Sequence, residues 1–351
     1  MSPLAPLERS RPGGGRRRFL SAAGALALTC LAPGVHAQAR RPVRIAVVTY
    51  RGRTRVEDGF EAYLAARRLP AEILWHDIDR DKARLPGVVA EIRRQSPDLV
   101  YTWGTTVSLG VLGSFDAVDP ARHIVDIPAV FTLVADPVGA GLVPSMASSG
   151  RRVTGVSHMA PVDAQLRAMR AYRPFRRVGL IYSPNEKNSR LVVAQVAELG
   201  RREGFELMAR PFPLDDAGRP DGSGAAEMIE ALAADGADWL YLPPDSYLTT
   251  LAADVLARAA ERRLPTFAST EALVKAGALT GVVSRYESVG QFTAFKAEQI
   301  LYGGRDPASI PVETLSRFSL QVNLPVARRM DMPPPLAMFD YAELIDPEAP
   351  A

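Results

Sequence analysis

The stretches Arg44–Tyr50 (RIAVVTY) and Arg177–Ser183 (RVGLIYS) decide the fold class. Each is a short run rich in aliphatic residues and is typical of a buried strand. A helical pattern of apolar residues follows each run, at Glu57–Arg68 and Ser189–Glu203, and strands and helices then alternate. The same order of elements therefore occurs twice, which predicts an internal structural repeat.

The remaining predicted elements alternate in both halves of the chain. In the first half we expect strands at 71–75, 99–103, 128–132 and 153–157, and helices at 86–95, 105–114 and 138–146. In the second half we expect strands at 205–210, 238–242, 264–268 and 281–284, and helices at 225–234, 247–262 and 271–276. Right-handed connections between such elements give parallel sheets with helices on both faces. The sequence thus predicts an α/β fold with two doubly wound parallel-sheet lobes.

Residues 1–39 have the three regions of an export signal. Arg16–Leu20 fits the twin-arginine pattern, and Phe19–Ala32 is an uncharged stretch too short to span a bilayer. Small residues at 35–39 suit a signal peptidase. We therefore predict a cleaved twin-arginine signal peptide at 1–39 and a protein exported to the periplasm. The alternative is a basic tail before a buried core helix.

Charge and composition exclude several classes of function. Without residues 1–39, the 42 basic and 39 acidic residues of the chain become 37 and 38, which leaves no electrostatic footprint for nucleic acid. Cys30, the single cysteine, lies in the predicted signal. His76, His123 and His158 lack metal-binding spacing, and we expect them to be solvated or capping residues. Because these histidines lack metal-ligand spacing and neither a nucleophile elbow nor a phosphate-binding loop is present, we expect no metal site and no catalysis.

Ligands of open α/β sheets lie beyond the carboxyl ends of the strands, where helix N-termini point. This rule selects the segments 49–51, 104–106, 132–136, 183–189, 243–247, 269–270 and 285–286. The candidate ligand-binding residues within or beside them are Tyr50, Arg51, Gly104, Thr105, Thr106, Thr132, Asp136, Tyr182, Asn188, Ser189, Asp245, Ser246, Ser269 and Tyr286.

Two kinds of polar group stand out among these candidates. Gly104–Thr106 and Asn188–Ser189 place hydroxyl, amide and backbone N–H groups at helix starts, which suits a carboxylate. Asp245 follows a strand end, where it is able to pair with an ammonium group. The alternative role for all of these residues is helix capping, and for Asp245 the two roles are compatible.

Several motifs resemble the ABC transporter substrate-binding proteins related to the tryptophan-binding TrpX type. They are Ile127–Thr132 (IPAVFT), Asp136–Val143 (DPVGAGLV), Val153–Ser157 (VTGVS) and Leu180–Ser189 (LIYSPNEKNS). The resemblance implies a type I periplasmic-binding fold with three hinge crossings near residues 157, 284 and 317. It also implies a first lobe at 40–156 plus 286–316 and a second at 157–285 plus 317–351, with neither cofactor nor catalysis.

The resemblance also implies roles for individual residues. Related proteins bind aromatic or similar amino acids, with Thr105, Thr106, Asn188 and Ser189 matching the groups on the carboxylate and Asp245 the group on the ammonium. The sequence departs from the family at Arg51, Arg53 and Arg55, which either bind an anionic ligand or lie on the rim of the cleft.

The expected function is capture of an amino acid or a related small polar or aromatic solute in a cleft between the lobes. The protein, expected to be a monomer, would deliver this solute to the permease of an ABC importer. The alternative is a ligand-sensing subunit for a membrane receptor or sensor kinase.

Overall fold

The structure, a computed structural model, describes residues 41–346. The predicted export signal at 1–39 therefore lies outside the described residues. The strands are β1 (Val43–Thr49), β2 (Ala71–Asp77), β3 (Leu99–Trp103), β4 (Ala129–Val134), β5 (Val153–Ser157), β6 (Arg177–Tyr182), β7 (Glu206–Pro211), β8 (Trp239–Leu242), β9 (Thr266–Ala268), β10 (Thr280–Val283), β11 (Glu313–Thr314), β12 (Ser319–Asn323) and β13 (Glu343–Ile345).

Eleven α-helices connect or flank these strands within the described range. They are α1 (Arg55–Ala66), α2 (Leu85–Gln95), α3 (Gly104–Leu112), α4 (Val162–Tyr172), α5 (Lys187–Glu203), α6 (Ala225–Ala234), α7 (Ser246–Thr250), α8 (Ala252–Glu261), α9 (Glu271–Lys275), α10 (Tyr286–Leu301) and α11 (Leu324–Arg329). Among residues 41–346, every helix is too short or too polar to cross a membrane.

The strands form two sheets with a shared topology. The first sheet has the order β11-β5-β4-β3-β1-β2, and the second has the order β13-β12-β10-β9-β8-β6-β7. All pairs are parallel except β10 with β12, which is antiparallel. Within each sheet the first five strands of the repeat lie in the same order, so the predicted α/β class and internal repeat are confirmed. The order reverses between β1 and β3 and between β6 and β8.

Three connections carry the chain from one sheet to the other. They follow β5, β10 and β11, since β11 pairs with β5 whereas β12 pairs with β10. The connections near residues 158 and 284 touch, because Ser284 Oγ donates a 2.7 Å hydrogen bond to the carbonyl of His158.

Helix α10 returns to the first sheet and packs directly on α1. Gly59 and Gly290 face the partner helix so closely that a Cβ on Gly59 would collide with the backbone of Glu287, and one on Gly290 with that of Val56. Helix α1 begins with a capping box in which Thr54 and Glu57 bond each other's backbone N–H groups. The two glycines therefore let α1 and α10 meet backbone to backbone.

The structure corrects two of the helix predictions. Residues 138–146 form turns instead of a helix, because the Asp136 carboxylate accepts the N–H of Gly139 and Gly141 adopts a φ of +70°. The single helix expected at 247–262 is divided into α7 and α8 at Leu251. Side chains on α7 explain the break, since the hydroxyl of Thr249 bonds a backbone carbonyl one turn earlier. Helices α4, α10 and α11 and strands β11, β12 and β13 were not predicted.

Candidate ligand-binding cleft

A cleft lies where the carboxyl ends of the two sheets meet. Its lining comes from the strand ends at both points where strand order reverses, as expected for ligand sites in α/β proteins. The lining residues are Arg51, Trp103, Gly104, Thr105, Leu133, Ala135, His158, Asn188, Pro244, Asp245, Ser246, Thr249, Thr270 and Tyr286.

On the side of the first sheet, helix α3 begins in the cleft without a side-chain cap. Trp103 occupies the N-cap position, and Gly104 turns the chain into the helix with a φ of +76°. The guanidinium of Arg51 lies 5.5 Å from the centre of the Trp103 ring, a cation–π distance. The first N–H groups of α3 and a cation therefore face the same space, which favours an anion.

Strand β4 reaches the cleft through an irregular segment. Its pairing register with β5 shifts between Phe131 and Val134, and Leu133 has a φ of +51°. A left-handed conformation is costly for leucine, and such strain concentrates at binding sites. The bulge presents Leu133, along with Ala135 beyond the strand end, to the cleft.

On the side of the second sheet, Asp245 is a fully bonded helix cap. Its Oδ1 accepts hydrogen bonds from Ser183 Oγ at 2.9 Å and Leu248 N at 2.8 Å. Its Oδ2 accepts bonds from Ser183 N at 2.6 Å and Ser189 Oγ at 2.8 Å. Four donors fill the four acceptor positions of a carboxylate. The contacts thus favour the capping role for Asp245 over the ammonium-binding role that the resemblance implied.

A second carboxylate, Glu186, lies beneath the same helix start. It is 2% exposed and accepts bonds from the N–H groups of Ser246 and Tyr247, both at 3.0 Å, and from the Asn188 amide at 3.2 Å. Burial, together with the charge of nearby Asp245, raises the pKa of Glu186 to about 7. Burial and the same two carboxylates also raise the pKa of Tyr50.

Four buried polar atoms in the cleft have no partner in the protein. They are Trp103 Nε1, His158 Nδ1, Asn188 Oδ1 and Thr270 Oγ1, out of eight such side-chain atoms within residues 41–346. Burial lowers the pKa of His158 to about 4, so its ring is neutral at physiological pH. Since buried polar groups are nearly always paired, this concentration marks a surface shaped for a polar ligand.

Comparisons with known proteins agree with this geometry. The profile described as ABC transporter substrate binding protein matches residues 46–343. The chain belongs to this family. A tyrosine-binding protein of Clostridioides difficile is 30% identical over 208 residues, which are 59% of this chain and 58% of that protein. This chain therefore matches somewhat less than three fifths of that curated relative.

Solved structures show that the chain has the type I periplasmic-binding fold. A domain from Streptococcus pneumonia in complex with L-Trp superimposes with a TM-score of 0.74 at 22% identity, covering 86% of this chain and 99% of that one. A conserved domain protein of Vibrio cholerae gives 0.76 at 21% identity, covering 87% and 99% respectively.

Seven of the candidate residues line the cleft of this substrate-binding protein, and seven do not. Those that do are Arg51, Gly104, Thr105, Asn188, Asp245, Ser246 and Tyr286. Ser189, Thr132 and Ser269 are buried behind the lining, where their hydroxyls bond Asp245, Thr293 and the Leu242 carbonyl respectively.

The other four candidates occupy different surroundings. Tyr50 is buried at the end of β1, and Tyr182 packs against the core of the second sheet. Thr106 lines an adjacent cavity of about 550 Å³ that it shares with Lys82 and Lys187. Asp136 bonds the turn at Gly139. Of the three arginines that depart from the family, Arg51 lines the cleft, whereas Arg53 pairs with Asp58 and Glu61 and Arg55 is exposed outside it.

The sequence reasoning missed Trp103, His158 and Thr249. Trp103 is the last residue of β3 and His158 the first after β5, so extending the strand-end rule by one residue finds both. The expectation that His158 is solvated or capping is wrong, since it is 5% exposed and lines the cleft. No group of three or more metal-binding side chains converges within residues 41–346.

Proposed function

We propose that this substrate-binding protein captures an amino acid or a related small polar or aromatic solute and delivers it to an ABC importer. The observation that carries the proposal is the set of four buried, unpartnered polar atoms on the cleft surface. Buried polar atoms are nearly always paired in folded proteins, and a polar solute in the cleft would pair with these four. The names of the tyrosine-binding relative and the L-Trp complex support the solute class.

Capture requires the two lobes to open and close. The cleft encloses a cavity of about 30 Å³, room for one or two water molecules, whereas small-molecule pockets are usually about 300 Å³ or larger. We propose that the lobes, 40–156 plus 286–316 and 157–285 plus 317–351, hinge about the three connections. A contact between the two proposed lobes, beside the adjacent cavity, supports a closed state, since Lys82 Nζ donates to the Asn185 carbonyl at 3.1 Å.

Mass spectrometry of small molecules released from the purified, denatured protein tests the capture step. We expect a stoichiometric solute that carries a carboxylate. Small-angle scattering of the emptied protein, before and after saturation with that solute, should show a decrease in the radius of gyration. An unchanged radius at saturation contradicts hinge closure, and the absence of any bound or bindable solute contradicts the function.

Delivery and location are tested in cells. We expect uptake of the released solute to fall when the chain is absent and to recover when it is restored. The predicted export adds a second measurement, because the mature protein should be found in the periplasm without residues 1–39. Uptake that does not depend on the chain contradicts a transport role.

A further inference from the structure

The acidic groups around the cleft are already used by the protein itself. Asp245, the sole carboxylate among the lining residues, accepts four hydrogen bonds from its own lobe. Glu186 accepts three, and Glu271 accepts the N–H of Tyr286 at the start of α10 at 2.7 Å. These carboxylates cap helix starts. Each of them already uses some or all of its acceptor positions for hydrogen bonds within the protein.

The side of the cleft that contains Arg51 presents hydrogen-bond donors and positive charge that the described part of the chain does not itself pair. Arg51 forms no ion pair within residues 41–346 and lies over the Trp103 ring. Trp103 is 6% exposed, and its Nε1–H has no acceptor, although the residue lines the cleft. The start of α3, nine residues long, has no side-chain cap. A guanidinium, an indole N–H and an uncapped helix start therefore converge on one space, and all three stabilise negative charge.

We infer that the solute is a carboxylate that carries a neutral hydrogen-bond donor, such as a hydroxyl or an indole N–H, and no α-ammonium group. The inference rests on the proposed function and narrows its solute class. The carboxylate lies at the start of α3, against Arg51 and Trp103 Nε1. The neutral donor bonds Asn188 Oδ1 on the opposite side.

The orientation of the Asn188 amide supports this assignment. Its Nδ2 donates to the carbonyl of Pro244 and to Glu186, so the oxygen is the atom that faces the cleft. The acceptors that the described residues leave unbonded here, Asn188 Oδ1 and His158 Nδ1, are neutral, whereas the Asp245 carboxylate that also lines the cleft already accepts four hydrogen bonds. An ammonium group would therefore bond neutral acceptors in a site that also holds the Arg51 cation, whereas an uncharged donor satisfies the same acceptors without the cost of burying a second positive charge.

Calorimetric titration of the full chain with matched probes tests the inference. The probes are L-tyrosine, 3-(4-hydroxyphenyl)propionate and tyramine, together with L-tryptophan, indole-3-propionate and tryptamine. We expect at least one propionate to bind at least tenfold more tightly than its amino acid, and neither amine to bind. Tighter binding of the amino acids overturns the inference and leaves the proposed function intact. If no probe binds, the inference is overturned for phenolic and indolic solutes. The mass-spectrometry experiment on released solute still tests the proposed function, because it does not depend on these probes.

Two variants connect the preference to the residues. Arg51→Gln should weaken propionate binding at least tenfold, whereas Arg55→Gln, an exposed arginine outside the cleft, should not change it. Trp103→Phe keeps an aromatic ring at this position and removes the N–H together with part of the indole, so affinity should fall about tenfold, and a melting curve measured alongside serves as the control for the cavity that the smaller ring leaves. Equal affinity for the wild type, Arg51→Gln and Trp103→Phe overturns the assignment of the carboxylate.

Discussion

Helices α3 and α7 begin at equivalent points of the repeat, after β3 and β8, yet their N-termini serve different purposes. Asp245 and Glu186 bond the first N–H groups of α7. Helix α3 has no side-chain cap, and Arg51 lies beside its first turn over Trp103. One topology thus provides one helix start stabilised by the protein and one left open to the cleft. Position in the fold does not by itself identify a ligand-binding group.

The largest effect should come from removing the cap of α7. Asp245→Ala leaves donors of Ser183, Ser189 and Leu248 without their acceptor in a buried site, and loses an N-cap. The free energy of unfolding should fall by about 3 kcal/mol, from the cap and the unpaired donors together. Urea denaturation measures this loss.

The matched change at the other helix start is Thr105→Ala. It should cost less than about 1 kcal/mol, since Thr105 makes no capping bond. An equal decrease in the free energy of unfolding for Asp245→Ala and Thr105→Ala contradicts the proposed difference between the starts of α7 and α3. If Asp245→Ala keeps its stability and loses affinity instead, the ammonium-binding role implied by the resemblance is restored.

The next effect should appear in the pH dependence of stability. Because burial and Asp245 raise the pKa of Glu186 to about 7, the folded protein holds a proton that the unfolded chain releases near pH 4.5. The free energy of unfolding should therefore decrease as the pH rises from about 4.5 to 7. Denaturation curves across this range for the wild type and Glu186→Gln measure the difference, and an identical slope in both contradicts it.

The smallest effect concerns the turn into α3. Gly104→Ala meets no atom within 4 Å but forces alanine into a φ of +76°, so it should cost about 1 kcal/mol. Gly87→Ala is the control, because it also meets nothing within 4 Å and lies in helix α2 with an ordinary φ. It should stabilise the protein by a few tenths of a kcal/mol or more. Thermal melts should therefore show a lower melting temperature for Gly104→Ala and a higher one for Gly87→Ala than for the wild type.

The sequence predicts strands β1 to β10 well, misses β11 to β13, and predicts the roles of side chains less well. Buried runs such as Leu99–Trp103 occur as expected, because parallel strands are recognisable as continuous apolar segments. Half of the candidate site residues line the cleft, since strand ends can be located from these runs. The sequence leaves open whether Asp245 caps or binds, because this depends on Ser183 and Ser189, which only the fold brings to its carboxylate.

No local sequence pattern predicts the bulge at Leu133. The surrounding strand, Ala129–Val134, is a continuous buried run, and the left-handed residue lies where β4 and β5 change register. Trp103 likewise has the pattern of an ordinary core residue. Its unpartnered Nε1 becomes apparent only when all neighbouring acceptors are placed.

The close packing of α1 on α10, made possible by Gly59 and Gly290, limits when the first sheet is covered during synthesis. Strands β1 to β5 of the first sheet and helix α1 leave the ribosome early, but the helix that covers α1 ends at residue 301, and β11 follows it. By that time all strands of the second sheet up to β10 have already been made. The first sheet therefore cannot be completed before most of the second sheet has been made, and the folding of the two sheets is coupled.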